Sequence, residues 1–305
     1  MNNHSVKNDM QLRPLIFGEV LFDQFEDGSS VLGGAPFNVA WHLQAFGLKP
    51  LFVSRVGDDS YGRRIRDEMQ QWGMSTAGLQ KDSSYPAGLV SVTINNDEPS
   101  FDILANRAYD HISTDALPPI NPSLIYHGSL AVRHPDSATA LATIKQRFTA
   151  PVFIDVNLRP PWWEHSTLIS LLQHASWAKL NNNEIDILIE GSTTSLEKAH
   201  ELLQRYSLET IILTLGAEGA VALTSNGEQS RIEPSQALDI VDTVGAGDAF
   251  ASVCILGYLK QWSISRILER AQAFASAIVQ VRGATICNKD FYQPFIDNWQ
   301  LADYE

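Results

Sequence analysis

Apolar and polar positions along this chain alternate between two spacings. Residues 14–25, PLIFGEVLFDQF, form a β-rich apolar run. In NVAWHLQAFG (38–47) the apolar residues recur at helical spacing, and Gly47 stands where a helix stops. PLFVSRVG (50–57) reads as a strand and YGRRIRDEMQQWG (61–73) as an amphipathic helix ending at Gly73. The texture then changes. AGLVSVTINNDEPSFDIL (87–104) predicts two strands joined by the turn NNDEP, a hairpin set among alternating α and β elements like a lid or flap.

After Pro118 the alternation resumes. LIYHGSLAV, PVFIDVNL, WAKLN and TIILTLG are short β-rich runs. Helical segments lie between them: DSATALATIKQRF, LISLLQHA and SLEKAHELLQRY. The final third is helix-rich, over 247–260 and 264–281, with Ser263 as an N-cap. Strands alternating with helices argue for βαβ units and a parallel sheet. There is no internal repeat, no low-complexity segment and no linker that would divide the chain. The expectation is one doubly wound α/β domain over 1–305, with lid strands from about 18–33 and 87–105. Ligands of open α/β sheets bind beyond the carboxyl ends of the strands.

Composition narrows the partners. The 305 residues are 44% hydrophobic and 19% charged, ordinary for a globular protein with a large core. Lys and Arg number 22 against 35 Asp and Glu, a net charge of −13. A field of that sign repels phosphate backbones, so nucleic acid is not an expected partner. A small anionic ligand stays open, because sites are local. The polar N-terminal residues 1–13 contain no apolar core of a signal peptide, and no uncharged run is long enough for a bilayer. The expected location is the cytoplasm, with no membrane partner. Cys254 and Cys287 form neither a disulfide framework nor a zinc cluster, and both are expected as buried thiols.

Two glycine clusters carry the candidate chemistry. In DTVGAGDAF (242–250), Gly245, Ala246 and Gly247 can present successive backbone N–H groups at the mouth of a helix. Asp248 then falls in the first turn. Two readings are open from this stretch alone. Asp248 is a simple helix cap, or the N–H groups hold a transferring phosphoryl group while Asp248 takes a proton from the attacking hydroxyl. In LGGAPFNVA (32–40), Gly33 and Gly34 allow close backbone approach to a ligand, and Asn38 either presents its amide to a polyol or caps a tight strand–helix turn. The P-loop, the three-glycine dinucleotide fingerprint, H-E-x-x-H and G-x-S-x-G are all absent.

Together, GGAPFNVA followed by Gly47 and Gly57, and DTVGAGDAF, resemble the two signatures of the PfkB, or ribokinase-like, carbohydrate kinase family, over about residues 14–296. The resemblance implies a Rossmann-like, mostly parallel sheet with helices on both faces and a small β lid over a sugar site. It implies ATP and Mg2+ as cofactors, a small sugar as substrate, and in some members a monovalent cation such as K+. Lids in this family often pair into homodimers.

Carried over by position, Asp248 resembles the catalytic base, and Gly245, Ala246 and Gly247 the anion hole. Asp23 resembles the aspartate that binds sugar hydroxyls, and Gly33, Gly34 and Asn38 the sugar-contacting turn. NNNE (181–184) resembles the N-x-x-E motif, with Asn181 at its start and Glu184 orienting Mg2+ through water; three tandem asparagines leave the register open by one residue. LTLGAEGA resembles the nucleotide-binding strand and turn, with Thr214, Gly216 and Gly219 along ATP. DVNLRP (155–160) resembles the D-x-N-x-R stretch of the fructokinase and 2-keto-3-deoxygluconate kinase branches; the guanidinium fork of Arg159 suits the γ-phosphate or an anionic substrate group, or else forms a surface ion pair. Arg107 after the hairpin is a candidate of the same type. Phe101 would shield the sugar or simply pack, and Trp162 and Trp163 pack or cover a rim. Asp242 with neighbouring carbonyls would hold the monovalent cation or only fix the loop.

GGAP and DVNLRP are more typical of fructokinases than of ribokinases, which usually carry lysine after the glycine pair. D-fructose, phosphorylated at a primary hydroxyl, is therefore the expected substrate. FDILANRAYD in the lid departs from the fructokinase spelling and puts that substrate in question. 2-Keto-3-deoxygluconate is the alternative, with Arg107 and Arg159 on its carboxylate, and a nucleoside-like substrate is the third reading. A sugar-binding regulator on the same fold is the non-enzymatic one.

Overall fold

The computed structural model describes residues 13–95, 98–115, 117–191, 194–234 and 240–301. Among these residues, nine strands form one sheet. In chain order they are β1 (Leu15–Phe17), β4 (Leu51–Gly57), β5 (Leu79–Asp82), β8 (Ile125–His127), β9 (Val152–Asp155), β10 (Trp177–Asn181), β11 (Thr210–Thr214), β12 (Ala220–Thr224) and β13 (Gln229–Ile232). Their spatial order is β13-β12-β11-β10-β9-β8-β1-β4-β5. The run from β5 to β11 is parallel, and β12 and β13 add an antiparallel hairpin at one edge. A second sheet holds β2 (Leu21–Phe25), β3 (Ser30–Gly33), β6 (Gly88–Asn95) and β7 (Glu98–Ile103), in the order β3-β2-β6-β7.

Strict alternation along the parallel strands divides the core in two. Ile16, Phe52, Tyr126, Phe153 and Ile212 face one side, against α1 (Ala35–Ala45), α2 (Ser60–Gln71), α7 (Ala246–Leu259) and α8 (Ile264–Ile278). Leu15, Phe17, Ile125, Ile154 and Ile211 face the other, against α3 (Pro135–Arg147), α4 (His165–Leu172), α5 (Asn182–Leu188) and α6 (Ser195–Arg205). Helices thus cover both faces, which is why these strands read as continuous apolar runs. Each large side chain fully buried here contributes about 1.5–3 kcal/mol. Phe274 is one, with edge-on contacts to His42, Phe46 and Phe295. Its replacement by Ala would cost about 3–5 kcal/mol. Helix α7 is buried from Ala249 to Gly257, so its sequence shows no polar face.

Several boundaries depart from the sequence reading. The apolar run 14–25 is not one strand. It breaks after β1 at Gly18, whose φ of +148° admits few other residues and whose added Cβ would meet Pro36 Cγ at 2.5 Å. The chain crosses there from the large sheet to the small one. The hairpin of 87–104 is present as β6 and β7, but residues 96 and 97 of its turn lie outside the described residues. LIYHGSLAV carries a strand only at Ile125–His127 and then a 3-10 turn at Leu130–Arg133. Helix α8 ends three residues earlier than 281, and Ser263 caps it, accepting the Arg266 N–H at 3.4 Å. Cys254 is buried as expected, whereas Cys287 is exposed, because it lies in the irregular segment after α8 rather than under a helix. Residues 1–12 lie outside the described residues.

Candidate active site

Because β1, β9, β10 and β11 run parallel, their carboxyl ends open on one edge of the sheet. Glu19 follows β1, Asp155 closes β9, Asn181 closes β10 and Thr214 closes β11. Helix α7 presents its N-terminus at the same edge. Gly245 caps it with φ +81°, and an added Cβ would sit 2.8 Å from Ala284 Cα, so only glycine fits. The first intrahelical bond is Ala249 N–H to Gly245 O, at 2.8 Å. The N–H groups of Gly247 and Asp248 precede it and have no carbonyl one turn back, which makes this an anion-attracting end.

Asp248 is half-buried in that first turn. Its Oδ2 accepts a 2.7 Å hydrogen bond from Asn38 Nδ2. Burial pushes its pKa up to about 6; the Asn38 bond opposes that shift, Asp155 adds to it, and Lys179 and Arg159 oppose it. A carboxylate so poised can accept a proton near neutrality. Asn38 is 4% exposed and its Oδ1 has no partner among the described residues.

The residues expected on the sugar side converge on the same place. A Cβ on Gly33 would lie 3.9 Å from both Asn38 Oδ1 and Asp23 Oδ2. Gly34 has φ +112°, and its Cβ would come within 2.8 Å of the Glu19 carbonyl. The turn therefore requires glycine to pass this close to β1's end. Asp23 is half-buried, and burial raises its pKa to about 6, with Arg159 opposing. Sheet register sets Asp23 on the same face of the small sheet as Val31, Val90 and Phe101. Phe101 is 52% exposed on the outer strand β7. Arg107 is half-buried, and its Nε has no partner among the described residues. Arg159 is exposed but acts electrostatically on Asp23, Glu19 and Asp248 together.

Glu184 and Asn181 form a reciprocal helix cap. Asn181 N–H donates to Glu184 Oε2 at 2.8 Å, and Glu184 N–H donates to Asn181 Oδ1 at 2.9 Å. Leu158 N–H donates to Glu184 Oε1 at 2.8 Å. The two ends of the NNNE stretch, Asn181 and Glu184, are thus paired with each other. Thr214 Oγ1 donates to Leu180 O at 3.3 Å. Gly216 (φ +58°) and Gly219 (φ +88°) form the turn beyond it. Asp242 accepts the N–H groups of Val244 at 3.0 Å and Gly283 at 3.1 Å, tying the loop before α7 to the segment after α8.

The sequence reading passed over other groups here. Lys179, inside the β-like run WAKLN, is buried and donates to both oxygens of Asp155, at 3.0 and 2.8 Å. Burial disfavours its ammonium, but Asp155, Glu184 and Asp248 outweigh that and its pKa is raised. Its Nζ lies 3.6 Å from where a Cβ on Gly247 would be, beside the anion-attracting turn. Glu19 is 3% exposed with an unpartnered Oε2, and burial lifts its pKa to about 7. Arg133 pairs with Asp110 at 2.8 Å, and its guanidinium lies 4.3 Å over the Trp162 ring. A charged residue amid an apolar run was the only available signal for these positions.

A half-buried carboxylate at a helix mouth, Asp248, and an anion-attracting turn thus stand together at the carboxyl edge of the sheet. The pattern of the pfkB family of carbohydrate kinases matches residues 5–290. The chain belongs to that family. It is 29% identical over 272 residues to fructokinase-2 of Oryza sativa subsp. japonica, covering 81% of this chain and 80% of that protein. It is 28% identical over 262 residues to a 5-dehydro-2-deoxygluconokinase of Shouchella clausii, covering 81% and 80%. The fold matches a Xylella fastidiosa fructokinase with bound ATP at a TM-score of 0.84 and 22% identity, over 95% of this chain and all of that one. As a member, this carbohydrate kinase has the ribokinase-like architecture of a large, mostly parallel sheet between helices with a separate small sheet. Among the described residues no helix is long and apolar enough to cross a membrane.

Proposed function

We propose that this kinase transfers the γ-phosphate of ATP to a primary hydroxyl of D-fructose. The observation that carries the mechanism is the 2.7 Å bond from Asn38 to Asp248. It joins the glycine turn of the sugar side to the helix mouth of the phosphate side. The sugar hydroxyl lies against Asp23, Asn38 and Gly34, and Asp248 removes its proton as it attacks. The N–H groups of Gly247 and Asp248, with Lys179 beside them, receive the charge that develops on the transferred group.

The residues present fit the cofactors. Unpaired first-turn N–H groups and a buried lysine suit a phosphate chain, with Thr214, Gly216 and Gly219 along the nucleotide. Bound ATP and Mg2+ supply the phosphoryl group and the counter-charge for it. Each oxygen of Glu184 accepts one backbone bond and keeps a second acceptor site, which suits a metal-bound water. Asp242 holds its loop against the segment after α8, where a monovalent cation would be carried. The small sheet serves as the lid of one kinase domain, with Phe101 on the Asp23 face to exclude water.

Arg107 favours a second reading. A buried guanidinium nitrogen without a partner suits an anionic substrate such as 2-keto-3-deoxygluconate. A coupled ADP-release assay with ATP and Mg2+ across fructose, 2-keto-3-deoxygluconate, ribose, tagatose, glucose and several nucleosides separates the readings. The highest kcat/KM is expected on fructose. Turnover best on the keto acid would move the assignment to the second reading. Sugar binding without turnover on any member would leave a regulator.

A further inference from the structure

A separate cluster of metal-ligating side chains stands outside the pocket already described. His111 closes a 3-10 turn at Ala108–His111, just after the small sheet. His134 and Asp136 stand at the start of α3. The ligand atoms of these three residues all lie within 4.8 Å of one another. Asp136 Oδ2 sits between two imidazoles, 2.7 Å from His111 Nδ1 and 3.7 Å from His134 Nδ1. With metal bonds of about 2.0–2.1 Å, ligands at the corners of a tetrahedron stand about 3.3 Å apart. The two observed spacings bracket that value, and no pair of ligand atoms in the group is more than 4.8 Å apart.

The cluster is built rather than incidental. The His111 ring is stacked on Tyr85 at 3.7 Å and tilted against His134 at 4.3 Å. Its carbonyl accepts from Arg55 at 2.8 Å. The residue is 8% exposed, and its Nε2 is buried without a partner among the described residues. His134 Nδ1 accepts the Asp136 N–H at 3.3 Å, and a metal ion would take that lone pair in the hydrogen bond's place. Arg55, the nearby cation, is itself paired with Asp82 at 2.6 Å. A cleft of about 490 Å³, lined in part by Arg55, Asp82, Tyr85, His111 and Asp136, opens beside the group and supplies room for a water as fourth ligand.

We infer that His111, His134 and Asp136 form a binding site for a borderline divalent metal of the Zn2+ class. Two imidazoles and one carboxylate are the donor set such ions take, and a hard ion such as Mg2+ would instead call for oxygen ligands. The ion would clip the 3-10 turn that follows Arg107 to the N-terminus of α3.

The test uses the full chain, freed of metal with a chelator and kept in excess Mg2+ without nucleotide. Zn2+ is titrated in competition with a chromophoric chelator, and Co2+ in its place is read by visible absorption. The wild type is expected to take up Zn2+ in a 1:1 ratio and to give the intense d–d bands of low-coordinate Co2+. His134→Asn keeps a helix cap but removes the imidazole, and Asp136→Asn removes the carboxylate. Each should weaken Zn2+ at least as much as the ~10–100-fold that loss of an outer-shell partner typically costs. Both should abolish the Co2+ bands with the circular dichroism unchanged. Failure of the wild type to compete for Zn2+ would overturn the assignment and leave a His111–Asp136 hydrogen bond. Equal Zn2+ affinity in wild type and both variants would overturn it too, placing the metal on other histidines.

Discussion

Asn38 and Asp248 are 210 residues apart in the chain and 2.7 Å apart in space, amide nitrogen to carboxylate oxygen. The bond stabilises the charged form of Asp248 and so holds its pKa below the value that burial alone would give. Asn38→Ala removes that support. The folded pKa of Asp248 should rise above about 6, and the acid limb of the kcat against pH profile should move to higher pH. The sugar KM should rise as well. A profile that keeps its acid limb in place would separate Asn38 from the base.

Asp248→Asn keeps the shape of the helix mouth and deletes the proposed base. The expected loss in kcat is about 10²–10⁴-fold, the usual contribution of a general base. Nucleotide and sugar binding, followed by calorimetry, should persist. In the wild type, activity should climb with pH through about 6, as the carboxylate forms. Near-normal turnover by Asp248→Asn would remove it from the base role.

Gly34 is held at φ +112°, against the Glu19 carbonyl. Gly34→Ala adds strain of about 1–3 kcal/mol from a backbone conformation that L side chains rarely adopt, and the new methyl pushes the turn off β1. The sugar KM should rise more than the ATP KM in steady-state kinetics. An equal rise in both would argue for a global loss of structure instead.

Much of this was legible in advance. The two glycine clusters announced themselves because glycine at a close approach leaves a composition signal that no apolar pattern hides. The parallel sheet was legible because both its faces are covered, so its strands read as unbroken apolar runs. The break at Gly18 was not, because the apolar run resumes at once with Val20, Leu21 and Phe22 and only a backbone angle separates the strands. Lys179 was hidden for a different reason: its ammonium is satisfied by Asp155, 24 residues away in sequence, and no local pattern reports a partner at that distance. The hairpin of β12 and β13 was missed beyond Gly219, since its outer strand alternates between half-buried and exposed positions and lacks an apolar run.

Lys179→Met should strand the buried Asp155 carboxylate. Breaking one side of a buried pair typically costs about 3–5 kcal/mol. Urea unfolding should show that loss, and the double variant with Asp155→Leu should recover part of it. Turnover should fall in both, because Lys179 also stands beside Gly247. A single variant as stable as the wild type would show the pair to be unneeded for folding.

Glu184→Gln puts an amide donor where two backbone N–H groups require acceptors. An unsatisfied buried donor costs about 1–3 kcal/mol. Thermal unfolding should move to lower temperature, and the Mg2+ concentration for half-maximal activity should rise. Lower stability with unchanged Mg2+ dependence would confine Glu184 to capping α5.

The crossing at Gly18–Val20 has a mechanical consequence. Asp23 and Gly33 ride on the small sheet, while Asn38 and Asp248 belong to helices packed on the large one. The proposed reaction centre therefore lies on a seam and is whole in neither body. A tilt of one sheet against the other changes the distance between the substrate's grip and the base without any side chain changing its rotamer. Alignment for transfer is then a property of posture, and a bound sugar that bridges the seam would set that posture itself.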